Sequence, residues 1–300
     1  MKVFNQNIKL EDSAVSLTIK REDLLHPFVS GNKFRKLKYN IQKTKELGYN
    51  KLITFGGAFS NHIAAVSFAC KEAGIESVGV IRGEELSTKI AENPTLSFAQ
   101  NCGMQFEFVS REMYQNKNSA EFISHLESTY GSHYLLPEGG TNELAIKGCE
   151  EILTEEDACF DIICCSVGTG GTISGIINSA LPHQKVIGFP VLKGDFLTDE
   201  IRKFAKNPNW ELHTDYHFGG YGKVTPELIG FINRFYKETK IPLDPIYTGK
   251  MVFGVVDLIQ KGFFAGNPKI LMIHTGGLQG VQGMNQMLEK RKMIKIMFDE

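Results

Sequence analysis

The chain reads as an α/β protein in which parallel β-sheets are covered by helices, and three observations carry that reading. From Lys51 onward, short apolar runs alternate with stretches of helical spacing. Several of those runs end in glycine-rich turns that lead straight into a helix pattern. The 300 residues, 42% hydrophobic and 22% charged, suffice for one large or two medium buried cores.

The apolar runs are Lys51 to Phe55, Ser77 to Ile81, Met104 to Val109, His133 to Leu136, Asp161 to Val167, Val186 to Pro190 and Ile270 to His274. Strand-then-helix order repeated in this way implies parallel pairing with helices on the faces. Ser60 precedes Ile63, Val66 and Cys70, and Thr172 precedes Ile173, Ile176 and Ile177, so both residues are expected to open capped helices. No solenoid repeat or low-complexity linker divides the chain. The run 46–140 is expected to form a smaller domain and 1–45 with 141–300 a larger one, with a ligand cleft between them.

A formal net charge of -1 and a pI near 6.7 give no global basic field for nucleic acid or an anionic membrane. The basic run from Lys33 to Lys45 stands alone and reads by itself as a solvated face. The N-terminal residues Met1 to Asn7 lead into charged residues, and no stretch approaches the roughly 18 apolar residues of a membrane span. A cytoplasmic protein with a small-molecule partner is expected. Cys70, Cys102, Cys149, Cys159, Cys164 and Cys165 are expected to be buried free thiols, the adjacent pair projecting to opposite faces of a strand. The histidines and cysteines are read as lacking zinc-ligand spacing, so no metal site is expected.

Three segments carry chemistry. Val167-Gly168-Thr169-Gly170-Gly171-Thr172 follows an apolar run and precedes a helix. Its glycines permit close approach of backbone N–H groups, and the helix start attracts an anion. Ile173 stands where a dinucleotide fingerprint needs its last glycine, and no Lys-Ser/Thr follows, so a phosphate monoester fits better than a nucleotide. Ser30-Gly31-Asn32-Lys33-Phe34-Arg35-Lys36-Leu37 places Lys33 in a first helical turn, where the dipole disfavours the ammonium and favours a nucleophilic amine. Gly56-Gly57-Ala58-Phe59-Ser60-Asn61-His62 brings a hydroxyl, an amide and an imidazole to another helix start, suited to a carboxylate. Gly219-Gly220-Tyr221-Gly222, Asp244-Pro245-Ile246-Tyr247-Thr248-Gly249-Lys250 and His274-Thr275-Gly276-Gly277 read singly as turns or loops.

The joint order Gly-Asn-Lys, Gly-Gly-x-x-Ser-Asn-His, Gly-Thr-Gly-Gly-Thr, Tyr-Thr-Gly-Lys and His-Thr-Gly-Gly resembles the 1-aminocyclopropane-1-carboxylate deaminase and D-cysteine desulfhydrase family over nearly the whole chain. The resemblance implies a two-domain, tryptophan-synthase-beta-like, fold type II pyridoxal phosphate enzyme, commonly a homodimer. It implies that Lys33 carries pyridoxal 5'-phosphate as a Schiff base and that Gly168, Thr169, Gly170, Gly171 and Thr172 hold its phosphate. Asn61 would bond the phenolic oxygen, Ser60 and His62 would receive the substrate carboxylate and assist chemistry, and Tyr221 and Tyr247 would be the active-site tyrosines.

Thr248 and Thr275 stand where deaminases of the family usually carry Glu and Leu, which resembles the desulfhydrase side. A neutral hydroxyl supports an unprotonated pyridine nitrogen, a weaker electron sink that suffices when a good leaving group sits on the β carbon. The resemblance thus implies β-elimination of a small amino acid, with D-cysteine giving pyruvate, ammonia and hydrogen sulfide. The alternatives are ring opening of 1-aminocyclopropane-1-carboxylate to 2-oxobutyrate and ammonia, and a non-catalytic cofactor-binding or amino-acid-sensing protein.

Overall fold

A computed structural model describes residues 3–10, 15–29 and 31–298; Ser30 of the Gly-Asn-Lys segment lies outside them. The strands are β1 (Asn5–Ile8), β2 (Ser16–Lys20), β3 (Lys51–Gly56), β4 (Glu76–Arg82), β5 (Gln105–Val109), β6 (Tyr134–Leu136), β7 (Ile162–Val167), β8 (Lys185–Pro190), β9 (Trp210–Leu212) and β10 (Lys269–Ile273). The helices are α1 (Asn32–Glu46), α2 (Asn61–Ala73), α3 (Pro94–Asn101), α4 (Arg111–Gln115), α5 (Ala120–Tyr130), α6 (Glu143–Cys149), α7 (Gly171–Ser179), α8 (Phe196–Arg202), α9 (Pro226–Thr239), α10 (Thr248–Gln260) and α11 (Gly280–Lys290).

Every apolar run named above is a strand, and the strands fall into two sheets. The smaller has order β5-β4-β3-β6 and is parallel throughout. The larger has order β1-β2-β10-β7-β8-β9, parallel except for β1 against β2. The central strands are buried on both faces, which is why they read as continuous apolar runs. In β7, Ile163, Cys164, Cys165 and Val167 are all buried. Cys164 packs into one core cluster and Cys165 into the other, on opposite faces as expected.

Strand order locates the site. Successive strands run from β3 through β4 to β5 on one side, while β6 returns to the other; in the larger sheet β8 and β9 extend one side of β7 while β10 and β2 lie on the other. Ligands of open α/β sheets bind beyond the carboxyl ends of strands at such reversals. The two glycine-rich turns, after β3 and after β7, stand at these two points.

Three strands and one cap depart from the sequence reading. β1, β2 and β9 are additions to it, and Thr172 is not a helix cap. α7 begins at Gly171 after Gly170 in the left-handed region (φ 85°), with no capping side chain, because the turn needs a conformation that threonine disfavours. Val29 and Leu37 bury among Leu52, Ile63 and Val66 of the smaller sheet's core. Cys70, Cys149, Cys164 and Cys165 are buried, but Cys159 is exposed and Cys102 half-buried; all six are free. No helix among the described residues is long and apolar enough to cross a membrane.

Candidate active site

One cleft of about 460 Å³ lies where the two turns meet, and Lys33, Ser60, Asn61, His62, Gly168, Thr169, Gly170, Thr172, Tyr221, Tyr247 and Thr275 all line it. Gly171 and Thr248 stand just behind this wall. A Cβ on Gly171 would lie 2.8 Å from Thr141 Oγ1 and 3.0 Å from Lys36 Nζ, and Thr248 Oγ1 lies 3.3 Å from Thr275 Oγ1.

Lys33 reaches the cleft through Gly31, whose φ of 57° lets α1 start against the end of β10. A Cβ on Gly31 would stand 2.1 Å from Thr275 O, and Asn32 N donates to that carbonyl at 3.3 Å. Only glycine allows both the turn and the contact. The Lys33 side chain is half-buried in the cleft wall. Burial first, and the nearby Lys36 ammonium second, lower its pKa to about 7. A large fraction of the amine is therefore unprotonated near neutral pH and competent as a nucleophile.

Lys36 departs from the solvated basic face read for this helix, a face that Lys38 and Lys45 do present. It is 2% exposed, and Nζ donates to Gly139 O and Thr141 Oγ1, both at 3.0 Å. Thr141 and Thr169 share a hydrogen bond at 2.7 Å, and Asn32 Nδ2 donates to Thr172 Oγ1 at 2.8 Å. The uncapped start of α7 thus meets a buried cation and three hydroxyls. The unpaired N–H groups of a helix's first turn, its positive dipole end and a lysine together make an anion site.

The opposite wall is the start of α2. Ser60 caps it as expected, Oγ accepting from His62 N at 3.2 Å and Ile63 N at 3.4 Å. His62 is buried, and its tautomer follows from its neighbours. Thr54 Oγ1 donates to Leu136 O at 2.9 Å, so it can only accept from His62 Nε2 at 2.8 Å. The other ring nitrogen, Nδ1, is then an acceptor, and it has no partner in the protein. Burial, with Lys33 and Lys36 adding to it, keeps this imidazole neutral. Its ring thus offers an acceptor, unlike the donor expected for a carboxylate; donors at this wall come from the Ser60 hydroxyl, the Asn61 amide and the backbone N–H groups that Ser60 holds. Asn61 Oδ1 is likewise buried without a partner. Such orphaned atoms cost about 1–3 kcal/mol each unless a ligand satisfies them.

The floor carries hydroxyls. Thr275 Oγ1 lies 3.3 Å from both Ser166 Oγ and Thr248 Oγ1. Asp244 fixes Thr248: its carboxylate accepts from the backbone N–H groups of Ile246, Tyr247 and Thr248 at 2.7–3.0 Å, so this segment opens α10 instead of forming the turn read from sequence. Tyr221 and Tyr247 meet edge to face, centroids 6.1 Å apart, at the cleft mouth.

Ser166 and Lys36 are among the site residues that sequence reasoning missed, as are Thr141, Arg82 and Glu138. Ser166 had a signal, as a lone hydroxyl on an apolar strand next to the glycine turn; Lys36 had none beyond standing one helical turn after Lys33. His213 and His217 do stand at His-x-x-x-His spacing, contrary to the sequence reading. Their ring nitrogens are engaged by Glu211 and by Gly219 N, and no cluster of three or more metal-ligating residues occurs among the described residues.

Residues 6–276 match the family described as pyridoxal-phosphate dependent enzyme. The chain belongs to that family. A relative from Pyrococcus horikoshii named putative 1-aminocyclopropane-1-carboxylate deaminase is 31% identical over 91% of this chain and 88% of its own. A mitochondrial protein of Arabidopsis thaliana named bifunctional D-cysteine desulfhydrase/1-aminocyclopropane-1-carboxylate deaminase is 30% identical, covering 90% of this chain and 74% of that protein. A solved ACC deaminase homologue superposes with a TM-score of 0.84 at 28% identity, covering 97% of this chain and 94% of that one. The protein is a fold type II, pyridoxal phosphate-dependent enzyme related to the deaminases and desulfhydrases named here.

Proposed function

We propose that this enzyme eliminates the β substituent of a small amino acid, with D-cysteine as substrate and hydrogen sulfide, pyruvate and ammonia as products. The observation that carries the choice is the floor of Ser166, Thr248 and Thr275, three hydroxyls without a carboxylate among them. A carboxylate there would hold the cofactor's pyridine nitrogen protonated, whereas hydroxyls suit a neutral ring. Such a ring suffices when thiolate leaves from the β carbon.

The residues present fit the cofactor. The α7 start, Lys36, Thr169 and Thr172 would receive its phosphate, the Asn61 amide would take a ring substituent, and Lys33 would supply the amine that holds it. Pyridoxal phosphate supplies the electron sink for the α carbanion. The Lys33 amine would take the proton from the substrate's α carbon. The start of α2, with Ser60, holds the substrate carboxylate and fixes that carbon over the lysine. Tyr221 and Tyr247 cover the mouth, limit water, and present hydroxyls to the departing sulfur. In net terms D-cysteine and one water would give hydrogen sulfide, pyruvate and ammonia.

The cofactor-loaded enzyme mixed separately with D-cysteine, L-cysteine and 1-aminocyclopropane-1-carboxylate tests this. Sulfide and pyruvate from D-cysteine alone are expected. 2-Oxobutyrate from the cyclopropane substrate would replace the proposal with the deaminase reading, and a spectral shift without any of these products would move the substrate to another amino acid.

A further inference from the structure

Lys250 is the strongest buried cation that the proposed chemistry leaves unused. Its side chain is 1% exposed, although it lies in the first turn of α10, where the helix dipole disfavours an ammonium. Nζ donates to His217 O at 2.8 Å and to Gly220 O at 2.9 Å. Both carbonyls already accept within their own loop, from Gly220 N at 3.0 Å and Lys223 N at 3.1 Å. The lysine is therefore no filler for otherwise orphaned carbonyls; it adds a second, charge-assisted bond to each.

One turn further along the same face, Phe253 packs edge-on against Phe218, centroids 5.0 Å apart and planes at 88°. Phe218 itself has φ of 53°, and Gly219, Gly220 and Gly222 are also at positive φ. A non-glycine residue in that region has to be held there by its surroundings. Tyr221 sits between these glycines and is 44% exposed at the cleft mouth, its ring edge-on to Tyr247 just before α10. Helix α10 thus touches the loop at two points and presents the tyrosine that Tyr221 meets.

We propose that Lys250 is a positioning residue, whose ammonium ties the 217–222 loop to α10 and so holds Tyr221 over the cleft. This rests on the reading of Tyr221 as an active-site residue. Burial lowers the Lys250 pKa to about 8, against the opposing pull of Asp244, so the tie is mostly charged at neutral pH. Without it, four residues at positive φ lose their charged anchor, and the ring contacts Phe218–Phe253 and Tyr221–Tyr247 remain between the loop and the α10 segment.

The test compares Lys250→Met, Tyr221→Phe and the double variant in the cofactor-loaded enzyme. Sulfide release from D-cysteine gives kcat and KM, the visible cofactor band reports the integrity of the site, and trypsin cleavage after the exposed Lys223 reports the loop. Lys250→Met is expected to keep the band, to be cut at Lys223 at least about tenfold faster, and to lose roughly a hundredfold in kcat, the scale of an ångström-sized misplacement. The double variant is expected to be no slower than the slower single variant.

An unchanged cleavage rate, an unchanged kcat, or losses that multiply in full in the double variant would overturn the proposal. If Tyr221→Phe alone leaves kcat and KM unchanged, the reading of Tyr221 falls and the positioning role with it. Should Lys250→Met lose the band, Lys250→Gln takes its place. Its shorter amide still donates to a carbonyl, so a cleavage rate between those of wild type and Lys250→Met and a kcat between those of wild type and Tyr221→Phe are expected, and wild-type values in both would sink the idea.

Discussion

The two glycine-rich turns that border the cleft open their helices in opposite ways. After β3, Ser60 folds its hydroxyl over the start of α2 and takes two N–H groups for itself. After β7, Gly170 turns left-handed and the start of α7 has no capping side chain, while Lys36 waits beside it. Helix N-termini are anion sites in proportion to the donors they leave unpaired. The α7 turn is a standing site, suited to a phosphate that stays; the α2 turn is a site on loan, its long cap bonds of 3.2 and 3.4 Å exchangeable for a carboxylate that comes and goes.

The largest expected effect tests whether the lysine between the turns carries the chemistry at all. Lys33→Ala should retain the fold, lose the visible absorbance of the bound cofactor, and lose more than about a thousandfold in sulfide release, the usual scale for a positioned proton-transfer group. A variant with wild-type absorbance would remove Lys33 from the centre of the site and dissolve the comparison between its two walls.

Lys36→Met addresses the α7 side alone. Losing a charge-assisted partner of the phosphate should weaken cofactor binding about ten- to hundredfold, measured by titrating the cofactor-free protein with pyridoxal phosphate. The same variant carries a pH signature. In the cofactor-free protein Lys33 is ammonium below a pKa of about 7 and free amine above it, so the rate of cofactor capture should rise as pH passes through that value. Lys36 is the second cause of that lowering, after burial, so removing its charge should move the midpoint upward, though not to the value of an exposed lysine. A midpoint that stays put would show that the two ammonium groups do not communicate.

Lys36 also shows where sequence legibility ends. The central strands and both glycine turns were readable because a strand buried on both faces is locally apolar, and the edge strands β5 and β6 were readable from their short apolar runs. β2 was not, because it buries polar residues that are satisfied by partners outside it: Thr18 donates to Asn7 Oδ1 at 2.9 Å, and Lys20 pairs with Asp157 at 2.6 Å; β1 was not, because of its four residues only Ile8 is buried. β9 is three residues at the sheet edge, too short to show a period. Lys36 and Lys250 look like surface lysines in sequence because the carbonyls that receive them lie 103 and about 30 residues away. The motif residues that converge on the cleft were legible as motifs, but the tautomer of His62 rests on Thr54 and Leu136, neither of which carries a signal of its own.

The smallest effect falls on the α2 side and separates the two roles of Ser60. Ser60→Ala removes a helix cap, a loss of about 1 kcal/mol, to be read from urea unfolding of the cofactor-free protein. If the cap is on loan, the same variant should raise KM for D-cysteine while leaving the affinity for pyridoxal phosphate near wild type, since the phosphate belongs to the other turn. The contrast with Lys36→Met then becomes a crossed pair: one variant moves cofactor affinity, the other moves substrate affinity. Were Ser60→Ala to weaken the cofactor as strongly as Lys36→Met does, the two turns would form a single undivided site, and the division between a resident and a passing anion would be wrong.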